Sequence, residues 1–411
     1  MADQYQTISM VFDLRPTYYD SFHCLAADCR YTCCRGWKVA FDKKDYLRLK
    51  QLKCSPELDV KLKNRLRRIK KRPLAEKFYG ELDMSGGCCP MQREDGLCAL
   101  QLEQGHETLP YVCRMFPRME TRSPSGFLER SPSPACEGVL ELLWNLPEGV
   151  DFASDLLPEK ERNGVLQVQL VGLLPHFQDI RSQCIDFLQD RRYTLPQRIL
   201  LMGLALKELA DGEQDVPRWL QRVQALADAP ETAKALPILG GTNNLPMFLS
   251  NNIGTLRRIY DPNKPSDFVN VPEELCAALG CRYDGDNQLT VTLAPYLKAR
   301  ERYQEQFGDR EYFMENLMVA LFFHMNIPEP DSRERLWGSY VQFCNLYSFY
   351  RFLAVMSCRE GVEDTKAELF RLVVYASREL IHNTFQQGQL RDGLFQHSST
   401  TLAHMAILLE G

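Results

Sequence analysis

Asp331-Ser-Arg-Glu-Arg-Leu-Trp-Gly-Ser-Tyr-Val-Gln-Phe-Cys-Asn-Leu-Tyr-Ser-Phe-Tyr-Arg-Phe-Leu-Ala354 places Leu336, Tyr340, Phe343, Tyr347 and Ala354 along one helical stripe, with Asp331 or Ser332 as the cap. On either side the pattern repeats. Phe313, Leu317, Ala320, Leu321 and His324 share a face that must end before Pro328, and Leu369, Leu372, Val373 and Ala376 begin another helix. Faces of this kind are buried most simply against each other, so residues 309–411 are predicted to form a helical, bundle-like region.

Upstream, residues 151–308 read as helices with irregular joins. Leu195 to Leu209 is apolar-rich, and Trp219, Leu220, Val223 and Leu226 mark a second helix. Residues 237–272 are rich in Pro, Asn and Gly and read as a long connection. Val269–Val271 and Leu289–Leu293 are candidate short strands, with Asp284-Gly-Asp-Asn287 as the turn before the second.

Residues 1–150 differ in kind. They carry 23 Lys and Arg against 20 Asp and Glu, whereas the remainder carries 26 against 34. Of the 15 cysteines, ten lie between Cys24 and Cys136. Turn signals at Ser85-Gly86-Gly87, Asp95-Gly96 and Ser123-Pro124-Ser125-Gly126 make this stretch loop-rich. One helix interrupts it: Ser55 as cap, Pro56 in the first turn, then Leu58, Leu62, Leu66 and Ile69 until Pro73 stops the run. Its other faces carry Lys61, Lys63, Arg65, Arg67, Arg68, Lys70 and Lys71, a solvated surface or a dock for an acidic protein.

Composition excludes several classes. A chain that is 45% apolar and 25% charged is globular rather than disordered, and a net charge of −5 excludes a nucleic-acid polycation. No apolar run approaches the roughly 18 residues of a membrane helix, and no secretory signal opens the chain, so a cytoplasmic location is expected. In a reducing compartment clustered thiols point to metal or catalysis rather than disulfides. The spacing Cys24-x4-Cys29-x3-Cys33-Cys34, then Cys88-Cys89-Pro90, Cys98, Cys113 and Cys136, is neither a two-by-two zinc finger nor CxxxCxxC. Zinc and iron–sulfur clusters both take thiolate ligands, and buried free thiols are the plain alternative. Cys54, Cys184, Cys276, Cys281, Cys344 and Cys358 read as structural thiols. No G-x-G-x-x-G turn follows a candidate strand, which argues against a Rossmann-type cofactor domain.

Phe22-His-Cys-Leu-Ala-Ala-Asp-Cys-Arg-Tyr-Thr-Cys-Cys-Arg-Gly-Trp37 resembles the opening motif of the flagellin lysine-N-methylase family. So do Cys89-Pro-Met-Gln-Arg-Glu-Asp-Gly-Leu-Cys98, Leu109-Pro-Tyr-Val-Cys-Arg-Met-Phe-Pro-Arg118 and Ala135-Cys-Glu137. A similar cysteine layout occurs in smaller proteins described as zinc- or iron-chelating. The resemblance is strong over about 22–140, with a weaker echo at Glu315-Asn316-Leu317. It implies methyl transfer from S-adenosylmethionine to lysine ε-amines of flagellin and an associated [4Fe–4S] cluster, with zinc as an alternative or second metal.

The family pattern covers Cys24, Cys29, Cys33, Cys34, Cys89, Cys98, Cys113 and Cys136. Eight sulfurs exceed the four that one cluster uses. The preferred set is Cys33 or Cys34 with Cys89, Cys98 and Cys113, the remainder being structural or forming a second site, while Cys88 is an extra thiol. Arg35, Arg114 and Arg118 are candidates to bind the donor's carboxylate or cluster sulfides, against the reading of ordinary surface arginines. Trp37 and Phe116 are expected over the metal loops, and Glu137 to pair with one of those arginines or stay exposed; His23 is a conceivable ligand. A lysine must lose its proton before it can accept a methyl group. Tyr340, Tyr347, Tyr350 and Glu315 are candidates to line that path, the simpler reading of the tyrosines being core. The expected architecture is therefore mainly α, with a cysteine-rich metal domain at 1–150 packed on helical regions 151–308 and 309–411. A non-catalytic metal carrier and a zinc-stabilised interaction protein are the alternatives. Flagellin is the expected partner, without nucleic acid or membrane, and the oligomeric state stays open.

Overall fold

The computed structural model describes residues 10–36, 39–70, 78–123, 125–158, 174–236, 244–260, 268, 270–283, 289–329, 331–382 and 400–409. The protein is mainly helical, as expected, but its first third is not dominated by loops alone. β1 (Met10–Pro16) pairs in full antiparallel register with the last strand of its sheet, Met10 facing Pro158 and Pro16 facing Phe152. A small three-stranded sheet follows, β2-β4-β3, from β2 (Ala40–Phe41), β3 (Leu66–Arg68) and β4 (Gly80–Leu82). Around it pack α1 (Lys43–Gln51), α2 (Pro56–Arg65), α3 (Ala99–Gln104) and α4 (Tyr111–Met115). β5 (Arg118–Arg122), β6 (Leu128–Pro132) and β7 (Phe152–Pro158) complete a four-stranded sheet of order β5-β6-β1-β7, with α5 (Glu137–Trp144) between its last two strands.

These sheets escape a reading by hydrophobic alternation because their burial is inverted. In β1 the side chain of Asp13 is fully buried while Phe12 is 51% exposed. Asp13 is bound by Arg15 at 2.6 Å and Arg130 at 2.9 Å. In β6 the buried residue is Glu129, held at 2.7 Å by the equally buried Arg181. Arg181 also donates to the Phe323 carbonyl at 2.7 Å, so one ion pair ties sheet to helices. Removing either partner would strand a buried charge at a cost of about 3–5 kcal/mol.

Two other expectations need correction here. The helix begun at Pro56 stops at Arg65, and Leu66 enters β3, because its neighbours pair with β4 and with Asp83. Ser55 does not cap it by a side-chain bond; its hydroxyl donates to Glu103 at 2.6 Å. Lys61, Lys63, Arg65, Arg67, Arg68 and Lys70 are exposed, while Lys71 lies outside the described residues.

The helical remainder comprises α6 (Phe177–Gln189), α7 (Leu195–Asp211), α8 (Val216–Asp228), α9 (Pro230–Ala235), α10 (Leu245–Ile259) and α11 (Val271–Ala278). After a minimal hairpin of β8 (Arg282–Tyr283) and β9 (Leu289–Thr290) come α12 (Leu293–Phe307), α13 (Glu311–His324), α14 (Arg333–Met356), α15 (Thr365–Leu380) and α16 (Leu402–Leu408). α7 carries a capping box from Thr194 and Gln197, and the Ser332 side chain caps α14. The connection expected at 237–272 contains α10, and Val271 opens α11 rather than closing a strand. Val269 and the turn at 284–287 lie outside the described residues. α10 tolerates its polar composition because Asn252 is buried and bonded to the Phe248 carbonyl and the Ser348 hydroxyl at 2.9 and 3.0 Å.

Two hydrophobic cores result. A small one gathers Val39, Phe41, Leu49, Leu58, Leu62, Met91, Leu100 and Leu109. The large one runs from Tyr18 and Phe22 through α5 to Leu409, so it draws on the first third of the chain as well as on the helices. α14 is its axis: Phe343, Phe349, Tyr350 and Phe352 are all essentially inaccessible. Among the described residues no helix is long and apolar enough to cross a membrane.

α7 and α14 approach closely on this axis, where a side chain at Gly203 would collide with the Tyr340 hydroxyl. Gly203→Ala is therefore expected to lower stability by about 1–3 kcal/mol through overpacking, despite the higher helix propensity of alanine. Denaturant unfolding checks this, and an unchanged midpoint would show that the contact relaxes freely.

Candidate functional site

The cysteine loop is built by hydrogen bonds to its backbone. A tight turn at Ala26, whose φ is 51°, brings its N–H to the Cys24 sulfur at 3.4 Å. The next residues are gripped by Glu137, the first residue of α5. Its carboxylate accepts the N–H groups of Arg30 and Tyr31 at 2.7 and 3.2 Å and the Arg30 guanidinium at 2.6 Å. The carboxylate is 2% exposed and sits at a helix N-terminus, where the backbone dipoles favour negative charge. Glu137 thus pairs with Arg30, not with the arginines expected from sequence. From the opposite side Arg378 of α15 donates to the carbonyls of Tyr31, Thr32 and Arg35 at 2.6, 3.2 and 3.2 Å.

This grip sets where the thiols go. Arg35 pairs with Cys88 as a β-bridge, and the Cys89 N–H donates to the Cys34 carbonyl at 2.7 Å. A second bridge joins Gln92 to Cys98, closing a hairpin over Asp95-Gly96. Cys113 arrives on α4, and the side chains of Cys34, Cys98 and Cys113 pack with Cys89 on the small core. The electrostatics report the same convergence. Cys34 is pulled below the usual thiol range by hydrogen bonds from the Cys33 and Cys89 thiols, and these two are pushed up by the same contacts. Burial pushes Cys113 up to about 12, with the charges of Cys34 and Cys98 adding to it, and burial also raises Cys98.

A second group lies beside it. Burial raises Cys29 to about 12, assisted by Glu137 and Cys136, and burial raises Cys136 to about 11, with Cys24 contributing. Cys33 feels both Cys113 and Cys136, which places it between the two groups. The eight thiols of the sequence motif are therefore collected as Cys34, Cys89, Cys98 and Cys113 on one side and Cys24, Cys29 and Cys136 on the other, with Cys33 between them. Among the described residues no three His, Cys, Asp or Glu side chains are disposed to hold a single metal ion. The donor atoms of the first group are all sulfur, on loops fixed by backbone bonds, the chemistry that thiolate-ligated centres use.

The candidate arginines divide. Arg35 donates to the side-chain amide oxygen of Gln92 at 3.2 Å, next to the thiols. Arg114 points to Glu107 at 3.0 Å, and Arg118 donates to the Phe22 carbonyl while lying over the Phe22 ring at 4.9 Å. His23 is exposed and bonded to the Ser21 carbonyl, and Trp37 lies outside the described residues. Phe116 sits 6.1 Å from the ring of His382, part of a feature absent from the sequence reading. His382 is bonded to Ser133 at 2.7 Å and His324 to Ser131 at 2.9 Å, with the two rings 6.1 Å apart. Burial lowers His324 to about 3 and His382 to about 4.

The helical region holds a separate cleft of about 710 Å³, between the start of α7, the α12–α13 junction and α14. Glu315 lies in it, 3% exposed, bound by Arg191 at 2.9 Å and Arg198 at 2.6 Å. Glu311 is bound by Arg351 at 2.6 Å. Of the three tyrosines weighed above, Tyr340 packs over Gly203 and Tyr350 bonds to Ser377 at 2.8 Å, while Tyr347 lines the cleft. Arg191, Arg198, Arg351 and Arg378 were missed because each is a charge on or beside an apolar stripe, where only the intruding polarity marks it.

Residues 181–408, more than half of the chain, match the model of the FliB lysine N-methylase C-terminal domain. The chain belongs to the FliB lysine N-methylase family. It is similar to the lysine-N-methylase of Salmonella typhimurium, at 26% identity over 152 residues, and to that of Salmonella choleraesuis, at 28% over 153 residues. Each of these alignments covers 36% of this chain and 36% of the relative, so the chain spans little more than a third of the length of these relatives. It is also similar to the flagellar biosynthetic protein FliU of Salmonella muenchen, at 27% over 139 residues, covering 33% of this chain and 78% of that protein. No solved structure matches.

The buried histidines give a prediction on acid stability. Both are neutral in the fold and regain their ordinary value near 6.5 on unfolding, so below that pH the unfolded chain binds more protons. Stability should fall as pH drops from about 6.5 toward 4, and His324→Gln should flatten that slope. Thermal melts between pH 7.5 and 4.5 check it, and equal slopes for both proteins would contradict it.

Proposed function

We propose that the protein methylates lysine ε-amines of flagellin, with S-adenosylmethionine as donor and a thiolate-held metal centre in its first third. The reading is carried by family membership over 181–408, and supported by the names of the similar proteins, lysine-N-methylase and flagellar biosynthetic protein. Cys34, Cys89, Cys98 and Cys113 would hold the centre, most simply as a [4Fe–4S] cluster. When bound, such a cluster supplies redox chemistry or an electron-poor iron. Zinc is the alternative metal for the same four thiols, and Cys24, Cys29 and Cys136 would then be structural or a second site.

The chain's own residues do the remaining work. Glu137 and Arg378 fix the loop that carries Cys29, Cys33 and Cys34, Glu137 also accepting from the Cys29 thiol, and Gln92 donates to the Thr32 hydroxyl and the Gly96 carbonyl at 3.3 Å each. Arg35 is the candidate arginine placed beside the thiols, suited to a carboxylate or a cluster sulfide. Arg114 and Arg118, proposed from sequence for the same role, would first have to leave Glu107 and the Phe22 carbonyl.

Incubating the intact protein with S-adenosylmethionine and flagellin, then weighing flagellin peptides, should show lysines gaining methyl masses. No gain from protein that retains its metal would instead favour a non-catalytic metal carrier. A second expectation concerns the loop. Arg378→Met leaves the carbonyls of Tyr31, Thr32 and Arg35 without this donor and should lower metal content and methylation together by about tenfold, the effect of losing roughly one charged hydrogen bond. Metal analysis checks it, and full occupancy in the variant would overturn the role given to Arg378.

A further inference from the structure

We propose that Cys276 and Cys281, which lie outside the cysteine motif of the first third, form a reactive dithiol that exchanges with small organic disulfides and closes into an intramolecular disulfide. This site needs neither the metal centre nor methyl transfer.

The end of α11 brings the two cysteines together. The helix stops at Ala278, and Gly280 follows in the left-handed region with φ 57°. The Cys281 N–H then donates to the Cys276 carbonyl and the Gly280 N–H to the Ala277 carbonyl, both at 3.0 Å. These two bonds make a Schellman motif, in which the side chains at the positions of Cys276 and Cys281 meet across the helix end. That contact is ordinarily made by two apolar side chains, and here both positions hold a thiol. The sulfurs do meet, the Cys281 thiol donating to the Cys276 sulfur.

Exchange needs a thiolate, access to it and a second sulfur within reach. The hydrogen bond from Cys281 lowers Cys276 to about 7, with partial burial opposing it and the charge of Arg257 on α10 assisting. The same contact pushes Cys281 up, so Cys276 ionises first. Both are partly exposed. Cys184 and Cys344, also on helices, are buried instead, and burial raises both.

The chemistry runs in two displacements. The Cys276 thiolate attacks one sulfur of the disulfide RSSR, a mixed disulfide forms, and RS⁻ leaves and takes a proton from solvent. Cys281 then gives its proton to solvent and attacks the Cys276 sulfur. The Cys276–Cys281 bond forms, the mixed bond breaks, and the second RS⁻ leaves and is protonated. The chain is oxidised by two electrons and loses two protons, and RSSR is reduced to two RSH.

The test incubates the full-length protein with glutathione disulfide near neutral pH, blocks free thiols with iodoacetamide, and weighs the peptide that holds both cysteines. In the wild type this peptide should lose two hydrogens and carry neither blocking group nor glutathione. Cys281→Ser should stop at the first step, with one glutathione on Cys276. Cys276→Ser should take up glutathione on Cys281 about fivefold more slowly, having lost the more acidic thiol. A wild-type peptide that takes two blocking groups at every time point overturns the proposal, as does bonding of Cys276 to a different cysteine. Equal rates in the two variants overturn the assignment of Cys276 as the attacking sulfur.

Discussion

A seven-residue loop, 29–35, is gripped from two sides by opposite charges. Glu137 holds its N–H groups and Arg378 holds its carbonyls. Both groups are almost wholly buried, so each needs the other side's backbone dipoles as much as the loop needs them. The grip joins the first third of the chain to its last long helix, because Glu137 follows Cys136 and Arg378 lies near the end of α15. Loosening it would release Cys29, Cys33 and Cys34 together and detach the thiols from the helical body that the family model describes.

The same logic recurs across the interface between sheets and helices. Glu129 with Arg181, and Asp13 with Arg15 and Arg130, put carboxylates inside the sheet and answer them with arginines. Buried pairs of this kind add little net stability over apolar packing, but they tolerate few alternative registers. They specify how the cysteine-bearing segments sit on the helices.

The long helices were legible because their apolar residues repeat at helical spacing and their caps are local. α7, α8, α13, α14 and α15 all fall where the periodicity puts them. The strands were not legible, since β1 and β6 bury Asp13 and Glu129 while leaving Phe12 outside, reversing the signal on which alternation depends. α10 was hidden by Asn251, Asn252 and Gly254, whose fit depends on a distant partner, Ser348. The cysteine set was legible in part. The eight motif cysteines were readable as a group, but only backbone pairing between distant segments sets Cys34, Cys89, Cys98 and Cys113 apart from Cys24, Cys29 and Cys136. Arg378 carries no local mark of its place against the loop, because its partners Tyr31, Thr32 and Arg35 lie far along the chain.

The central claim is that four sulfurs from three separate segments serve one inorganic centre. Iron, zinc and acid-labile sulfide should be counted per chain in protein isolated without oxygen, for the wild type and for Cys34→Ser, Cys98→Ser and Cys24→Ser. Iron with matching sulfide in the wild type and in Cys24→Ser, lost in the other two, is the predicted result. A wild-type protein that holds neither iron nor any other transition metal would contradict the account.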